Sequence, residues 1–202
     1  MSQFSKENGK ISLKLRSDEA HILINLVEQL LELLGEGDFY HHYSNDDPFA
    51  QLMSMPHEIS QPEDPVLRRL LPNAYADPEA ADDFRRYTEP TIRKVKQDAL
   101  RNVRELLGSL VDSESENHQG DTSSDVADQG NFFTVENVDE DTWLKILNDL
   151  RLALSVRLNI DADGYEKFEA MADENPQKGI YAVYFWLGSL QENLLEEISR
   201  YA

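Results

Sequence analysis

The sequence predicts a mainly α (α+β) domain: about five to seven helices with one small two-stranded sheet. Three observations predict it. Long segments repeat apolar residues at helical spacing, two short segments carry strand-like apolar patterns, and each of these two runs directly into a helix start. No run of apolar residues approaches the roughly 18–20 needed to span a bilayer, so no membrane role is expected.

The first strand is "ISLKLR", residues 11–16, where Ile11, Leu13 and Leu15 alternate with polar neighbours. Ser17 starts a helix over about 18–34, with Asp18 and Glu19 in the first turn, where the helix dipole favours acids. Its leucines cover most of its circumference, which makes it central, and Gly35 and Gly37 end it. A short helix is expected at 47–54. Asp64–Pro65 and Asp77–Pro78 are each an N-cap followed by proline at the first helical position, starting helices at 65–71 and 78–87. Pro90 opens a longer helix over about 89–110. Phe132 to Val135 form the second strand. Asn137 or Asp139 then caps a helix reaching about 158, and Asn175–Pro176 starts the last helix, ending near 200. The two strands are expected to pair. Gly188 interrupts the last helix at a cost of about 1 kcal/mol against alanine, and close helix contact is the expected reason.

Residues 1–10 are read as a flexible N-terminus, and 11–111 with 131–202 as a single domain. The stretch 112–130, "DSESENHQGDTSSDVADQG", has acids, no Lys or Arg and almost nothing apolar, so it is expected to stay a disordered acidic insert.

Charge narrows the function. The chain has 39 acidic and 19 basic side chains, a net of -20, which repels nucleic acid and anionic surfaces at long range. It has no cysteine, so disulfides, thiol nucleophiles and thiolate metal sites are excluded. With no apolar leader at the N-terminus, a cytoplasmic location is expected.

The cations are not spread evenly. Nine of the 19 fall between Arg68 and Arg104 against six acids, leaving that segment at +3 and the rest at -23. At 100° per residue, Ile92, Val95, Ala99, Val103, Leu106 and Leu110 fall on one side of the predicted helix, the expected core face. Arg93, Lys94, Arg101 and Arg104 fall on the other, preceded by Arg85 and Arg86. These six could hold DNA or an acidic partner. Equally, they could form a solvated face paired with the abundant carboxylates. Arg151 and Arg157 lie on apolar stripes of their helix, so each needs a carboxylate, an escape to solvent or a ligand.

Chemistry-bearing motifs are weak. "NIDADGYEKFEA" places Asn159, Asp161, Asp163 and Gly164 as a calcium loop would, but Ala170 stands where a bidentate Glu is needed. His41, His42 and His57 lack zinc-site spacing, and there is no GxSxG, GxGxxG or P-loop. No metal, cofactor or enzymatic activity is expected.

Three strings carry a resemblance: "DPVLRRLLPNAYADPEAADDFRRYTE" (64–89), "WLKILNDLRLALSVRL" (143–158) and "YFWLGSLQENLL" (184–195). Together they resemble an actinobacterial family of unknown function, some of whose members are described as oxidative-stress transcriptional regulators. Leu70 to Thr88 is the most specific part. The resemblance implies a non-enzymatic cytoplasmic regulator that acts through promoter DNA or RNA polymerase components. An adaptor that grips an acidic protein partner, or another copy of itself, is the alternative. The family's redox sensing is associated with a cysteine pair near the N-terminus, which "MSQFSKENGK" lacks. The matching residues Arg85, Arg86, Tyr87, Asp149, Arg151 and Arg157 are candidates for either function or fold.

Overall fold

The computed structural model describes residues 2–35, 61–117 and 132–200. Among these, six helices surround one three-stranded antiparallel sheet of order β1-β2-β3. The strands are β1 (Gln3–Glu7), β2 (Lys10–Arg16) and β3 (Phe132–Val135). The helices are α1 (Ser17–Leu33), α2 (Pro65–Leu70), α3 (Pro78–Asn117), α4 (Glu140–Arg157), α5 (Gly164–Ala170) and α6 (Pro176–Ser199). The expected helix at 47–54 and the three loop histidines lie outside the described residues, as does most of the acidic insert.

The two expected strands pair as predicted, with Leu13 opposite Val135 and Leu15 opposite Phe133. A third strand comes from residues expected to be flexible. Asn8 (φ 51°) and Gly9 (φ 79°) make a two-residue turn, and β1 folds back on β2 with Phe4 opposite Leu13. Both turn residues are left-handed, the conformation that an Asn-Gly pair adopts most readily in a hairpin. Free N–H groups of β1 are closed off by α6: Phe4 donates to Asn193 at 2.6 Å and Lys6 donates to Glu197 at 3.1 Å. An edge strand covered in this way cannot recruit another chain.

Three of the caps read from the sequence form; α1 is capped at Arg16 with Ser17 as its first helical residue, and Asp139 precedes α4 without a side-chain cap bond. Asp64 accepts from the Val66 and Leu67 N–H groups at 2.7 and 3.4 Å. Asp77 accepts from Ala80 at 2.9 Å, and Asn175 from Gln177 at 2.9 Å. Glu19 reaches back to the Arg16 N–H at 2.8 Å, and Gly35 (φ 77°) closes α1.

One helical expectation is corrected, and one short helix was not expected. Residues 78–87 and 89–110 are one helix, with Pro90 inside it and the first residues of the acidic insert, 112–117, continuing it. α5 occupies the stretch that imitates a calcium loop. There Asp161 accepts from Lys167 at 2.5 Å and from the Asp163 N–H at 3.2 Å. Its carboxyl is held below the usual range, first by that lysine.

The core joins the sheet to α1, α3, α4 and α6. Leu13, Leu15, Val27, Leu31, Leu107, Leu147, Leu187 and Leu194 have no exposed surface. Each contributes about 1.5–3 kcal/mol on burial, an upper bound because the unfolded chain is partly collapsed. α1 packs on α3, α4 on α6 and α2 on α4. Phe4 meets Trp143 edge-on, with ring centroids 5.9 Å apart.

Candidate functional site

The first half of α3 is amphipathic in an inverted sense. Its buried stripe is Ala81, Arg85, Glu89, Arg93 and Gln97, becoming apolar only at Leu100, Val103 and Leu107. Half of the face predicted to be core turns outward instead, while Ala99 and Leu110 pack against the core partly buried. Ile92 is 41% exposed, Val95 61% and Leu106 38%, while Val103 alone of that set is buried. The helix is rotated so that paired charge is buried: the guanidinium–carboxylate bonds permit that burial, although Arg85 Nε is left without a hydrogen-bond partner among the described residues.

Inside, Glu89 stands between two guanidinium groups. Arg85 Nη1 donates to one carboxylate oxygen, and Arg93 Nε donates to the other at 2.8 Å. Other donors reach the C-caps of neighbouring helices, and Arg85 Nε is buried without a partner among the described residues. Arg85 Nη2 meets the Leu71 carbonyl at 3.2 Å and Asn73 Oδ1 at 2.5 Å. Arg93 Nη1 and Gln97 Nε2 both donate to the Leu34 carbonyl, at 3.3 and 3.0 Å. That carbonyl lies at the C-terminal, negative end of α1, where cations are favoured. Arg85 and Arg93, predicted as part of a binding arc, thus tie α1 and the 71–73 turn to α3.

Outside, the other four arc cations are dispersed. Arg86 donates to the Tyr87 hydroxyl at 2.5 Å, lies 4.7 Å from that ring's centre and is 3.9 Å from Asp83. Arg101 pairs with Asp98 at 2.9 Å, and Arg104 is half-buried. Lys94 is exposed and has no ion pair among the described residues. Around these cations lie exposed apolar groups: Tyr75 (52%) edge-on to Phe84 (42%), and Tyr87 (61%). Hydropathy alone does not reveal this surface. The signal available in the sequence was the spacing of four between Arg85, Glu89 and Arg93, which places an alternating-charge ladder on one face.

Asp149, Arg151 and Arg157 separate into three situations. Asp149 is buried and takes both hydrogen bonds of Lys96, at 2.7 and 2.9 Å, fastening α4 to α3. Arg157 pairs with Asp64 at 2.7 Å. It edges a groove of about 630 Å³ between α1, α4 and α6, lined by Ile22, Leu26, Leu154, Ile180 and Val183. Burial pulls the Asp64 carboxyl upward, but Arg157 and the two cap N–H groups outweigh it and hold it below its usual range. Arg151 has no carboxylate partner among the described residues. It donates to Gln191 at 2.6 Å, lies 5.3 Å from the Tyr184 ring centre and rests against Gly188. The glycine thus makes room for a side chain rather than for a helix backbone. The same three residues do not share one pocket.

Among the described residues, no three His, Asp or Glu side chains converge as metal ligands, and no helix is long and apolar enough to cross a membrane. A family model described as Domain of unknown function (DUF2017) matches residues 1–198. The chain belongs to the DUF2017 family. Its similarity to curated proteins runs nearly end to end. It is 30% identical over 195 residues to the oxidative stress regulator AosR of Mycobacterium tuberculosis, covering 95% of this chain and 83% of the relative. The AosR of Mycobacterium bovis matches to the same extent. A putative oxidative stress regulator AosR of Mycobacterium leprae is 31% identical over 88% of this chain and 77% of its own. No solved structure matches the chain. The stretch Leu70 to Thr88, quoted above for the resemblance, covers the turn and helix start that hold Arg85, the first member of the buried ladder, and the exposed Tyr75, Phe84 and Tyr87.

Proposed function

We propose that this DUF2017 protein is a non-enzymatic regulator of the oxidative-stress type that works by contacting another protein, RNA polymerase components being candidates, and not by docking on promoter DNA. The name shared by its relatives supports the regulatory half of this reading. The fate of the cations carries the other half. Of the six residues in the predicted basic arc, Arg85 and Arg93 are spent inside the fold, and Arg101 has Asp98. A DNA-binding protein commonly neutralises about 6–10 phosphates. Around Tyr87, Ile92 and Val95, α3 offers solvent a few cations set among tyrosine, phenylalanine and aliphatic side chains, with exposed Asp83 and Asp98 at either end, paired with Arg86 and Arg101. That composition resembles a protein interface core, where Tyr, Phe and Arg are enriched. A net charge of -20 adds long-range repulsion from a duplex. With no cysteine, a response to oxidant has to come through a partner or a non-thiol group.

The test is retention of the purified protein on promoter fragments of its own genome, at low and physiological salt. No sequence-selective retention is expected at either. Selective retention that survives physiological salt and is lost when Lys94 and Arg101 become Glu would overturn the reading in favour of DNA.

A further inference from the structure

Resting on that protein-contact reading, we infer that the exposed arc of α3 from Phe84 to Val95, with Tyr75 beside it, is a docking surface for an acidic, apolar-faced helix of a partner protein.

Four observations converge on this stretch. Eleven large hydrophobic residues are exposed among the described residues, and five of them lie between Tyr75 and Val95. At 100° per residue, Phe84, Tyr87, Ile92 and Val95 share one arc of roughly 140°, so they form a continuous patch and not scattered exposures. The second observation concerns charge. Residues 84–97 contain a single acid, Glu89, and it is 3% exposed. Between Asp83 and Asp98, exposed acids already paired with Arg86 and Arg101, this segment therefore shows solvent no carboxylate in a chain where about one residue in five is acidic. Lys94 borders the arc without an ion pair among the described residues, and Arg86 covers the Tyr87 ring.

The third observation is rigidity. The ladder of Arg85, Glu89, Arg93 and Gln97 fixes the rotation of α3, because turning the helix would strip buried charges of their partners. The outward face is therefore set before a partner arrives, which lowers the ordering cost of binding. The fourth is dimension. Phe84 to Val95 rises about 16 Å, three turns, which matches a short amphipathic helix laid alongside.

Charge complementarity selects the partner. A duplex would leave the apolar arc against hydrated phosphates, gaining nothing from it. An isologous contact with a second copy would bring to this arc no acids beyond Asp83 and Asp98, both already paired within their own helix. A helix with apolar residues on one side and Glu or Asp along its flanks satisfies both features together.

The probe is a fluorescein-labelled 18-residue amphipathic peptide with Leu at core spacing and Glu on its flanks, titrated against the full-length protein by anisotropy. Two controls accompany it, one with Lys replacing Glu and one with Ser replacing Leu. The acidic peptide is expected to bind and neither control to match it. Val95→Glu is expected to weaken binding by about tenfold or more, as loss of a central apolar contact does, and Lys94→Glu to weaken it measurably. Both positions are exposed, so circular dichroism and thermal unfolding should match the wild type; Ile92→Glu is a second probe of the same arc. No binding of the acidic peptide, or binding indifferent to Val95→Glu and Ile92→Glu, overturns the docking surface. A wild-type dimer that Val95→Glu splits into monomers also overturns it, by making a second copy the occupant. Any of these results without DNA retention leaves the protein-contact reading standing, whereas retention on promoter DNA removes both.

Discussion

Glu89 holds two arginines in a region that excludes water, so its removal is expected to strand both charges. Removing one partner of a buried ion pair costs about 3–5 kcal/mol, because the desolvated charge that remains has no compensation. Glu89→Ala should lose stability of that order in chemical denaturation. Asp98→Ala, whose exposed carboxylate meets Arg101 at the surface, should change stability by about 0.5 kcal/mol or less. Comparable losses from the two variants would contradict the ladder. Asp64 offers a second test at this scale, through pH. Its carboxyl is held below its usual range in the folded chain, so the unfolded chain takes up a proton first as the solution acidifies. The stability Asp64 contributes is fully present above its unfolded pKa, about 3.9, and is lost as pH falls through the lower folded value. Denaturation at pH 6 and near pH 3 should show wild type losing its advantage over Asp64→Asn on acidification. A gap that widens instead would contradict the Arg157 and N-cap assignments.

The elements show where the sequence was legible and where it was not. Caps were legible because their chemistry is local: Asp64, Asp77 and Asn175 each sit beside the N–H groups they accept from. The pairing of β2 with β3 was legible from apolar pattern. β1 was missed although Asn8-Gly9 is a strong hairpin signal, because polar residues on β1 hide its single core anchor, Phe4. The face of α3 was misassigned for a deeper reason. Hydropathy sorts residues one at a time, whereas Arg85, Glu89 and Arg93 can be buried only as a set. Pro90 misled in the same direction, since a proline usually marks a helix boundary. Inside α3 it forfeits a backbone hydrogen bond, so Pro90→Ala is expected to raise stability by about 2 kcal/mol, below the full proline penalty because proline also restrains the unfolded chain. Gly188 has a calculable sign too. An added Cβ would meet Arg151 Cζ and Nη2 at 3.4 Å, an ordinary contact with a flexible side-chain end. The helix-propensity gain then decides, and Gly188→Ala should be stabilising by up to about 1 kcal/mol. Gly188→Leu would displace the guanidinium and should be destabilising. Thermal unfolding of the pair checks both signs.

Across the whole molecule, the question raised by the sequence was why an acidic chain concentrates its cations near residue 90. Part of the answer is structural: Arg85, Arg93 and Lys96 anchor α3 to the turn before it, to α1 and to α4. The rest lies in what that anchoring displaces. Once the charged stripe turns inward, Phe84, Tyr87, Ile92 and Val95 face solvent, bounded by Asp83 and Asp98 that Arg86 and Arg101 already pair. Neither half is visible from net charge, which averages over both. In a molecule at -20, such a face is where an acidic partner meets the least repulsion. The most direct measurement is made in the native host. The chain would be replaced by Val95→Glu at normal abundance, and the transcript response to peroxide compared with wild type and with a deletion. If the protein regulates through this face, Val95→Glu should reproduce the deletion's response although it folds normally. A wild-type response from a normally folded Val95→Glu protein would contradict the account.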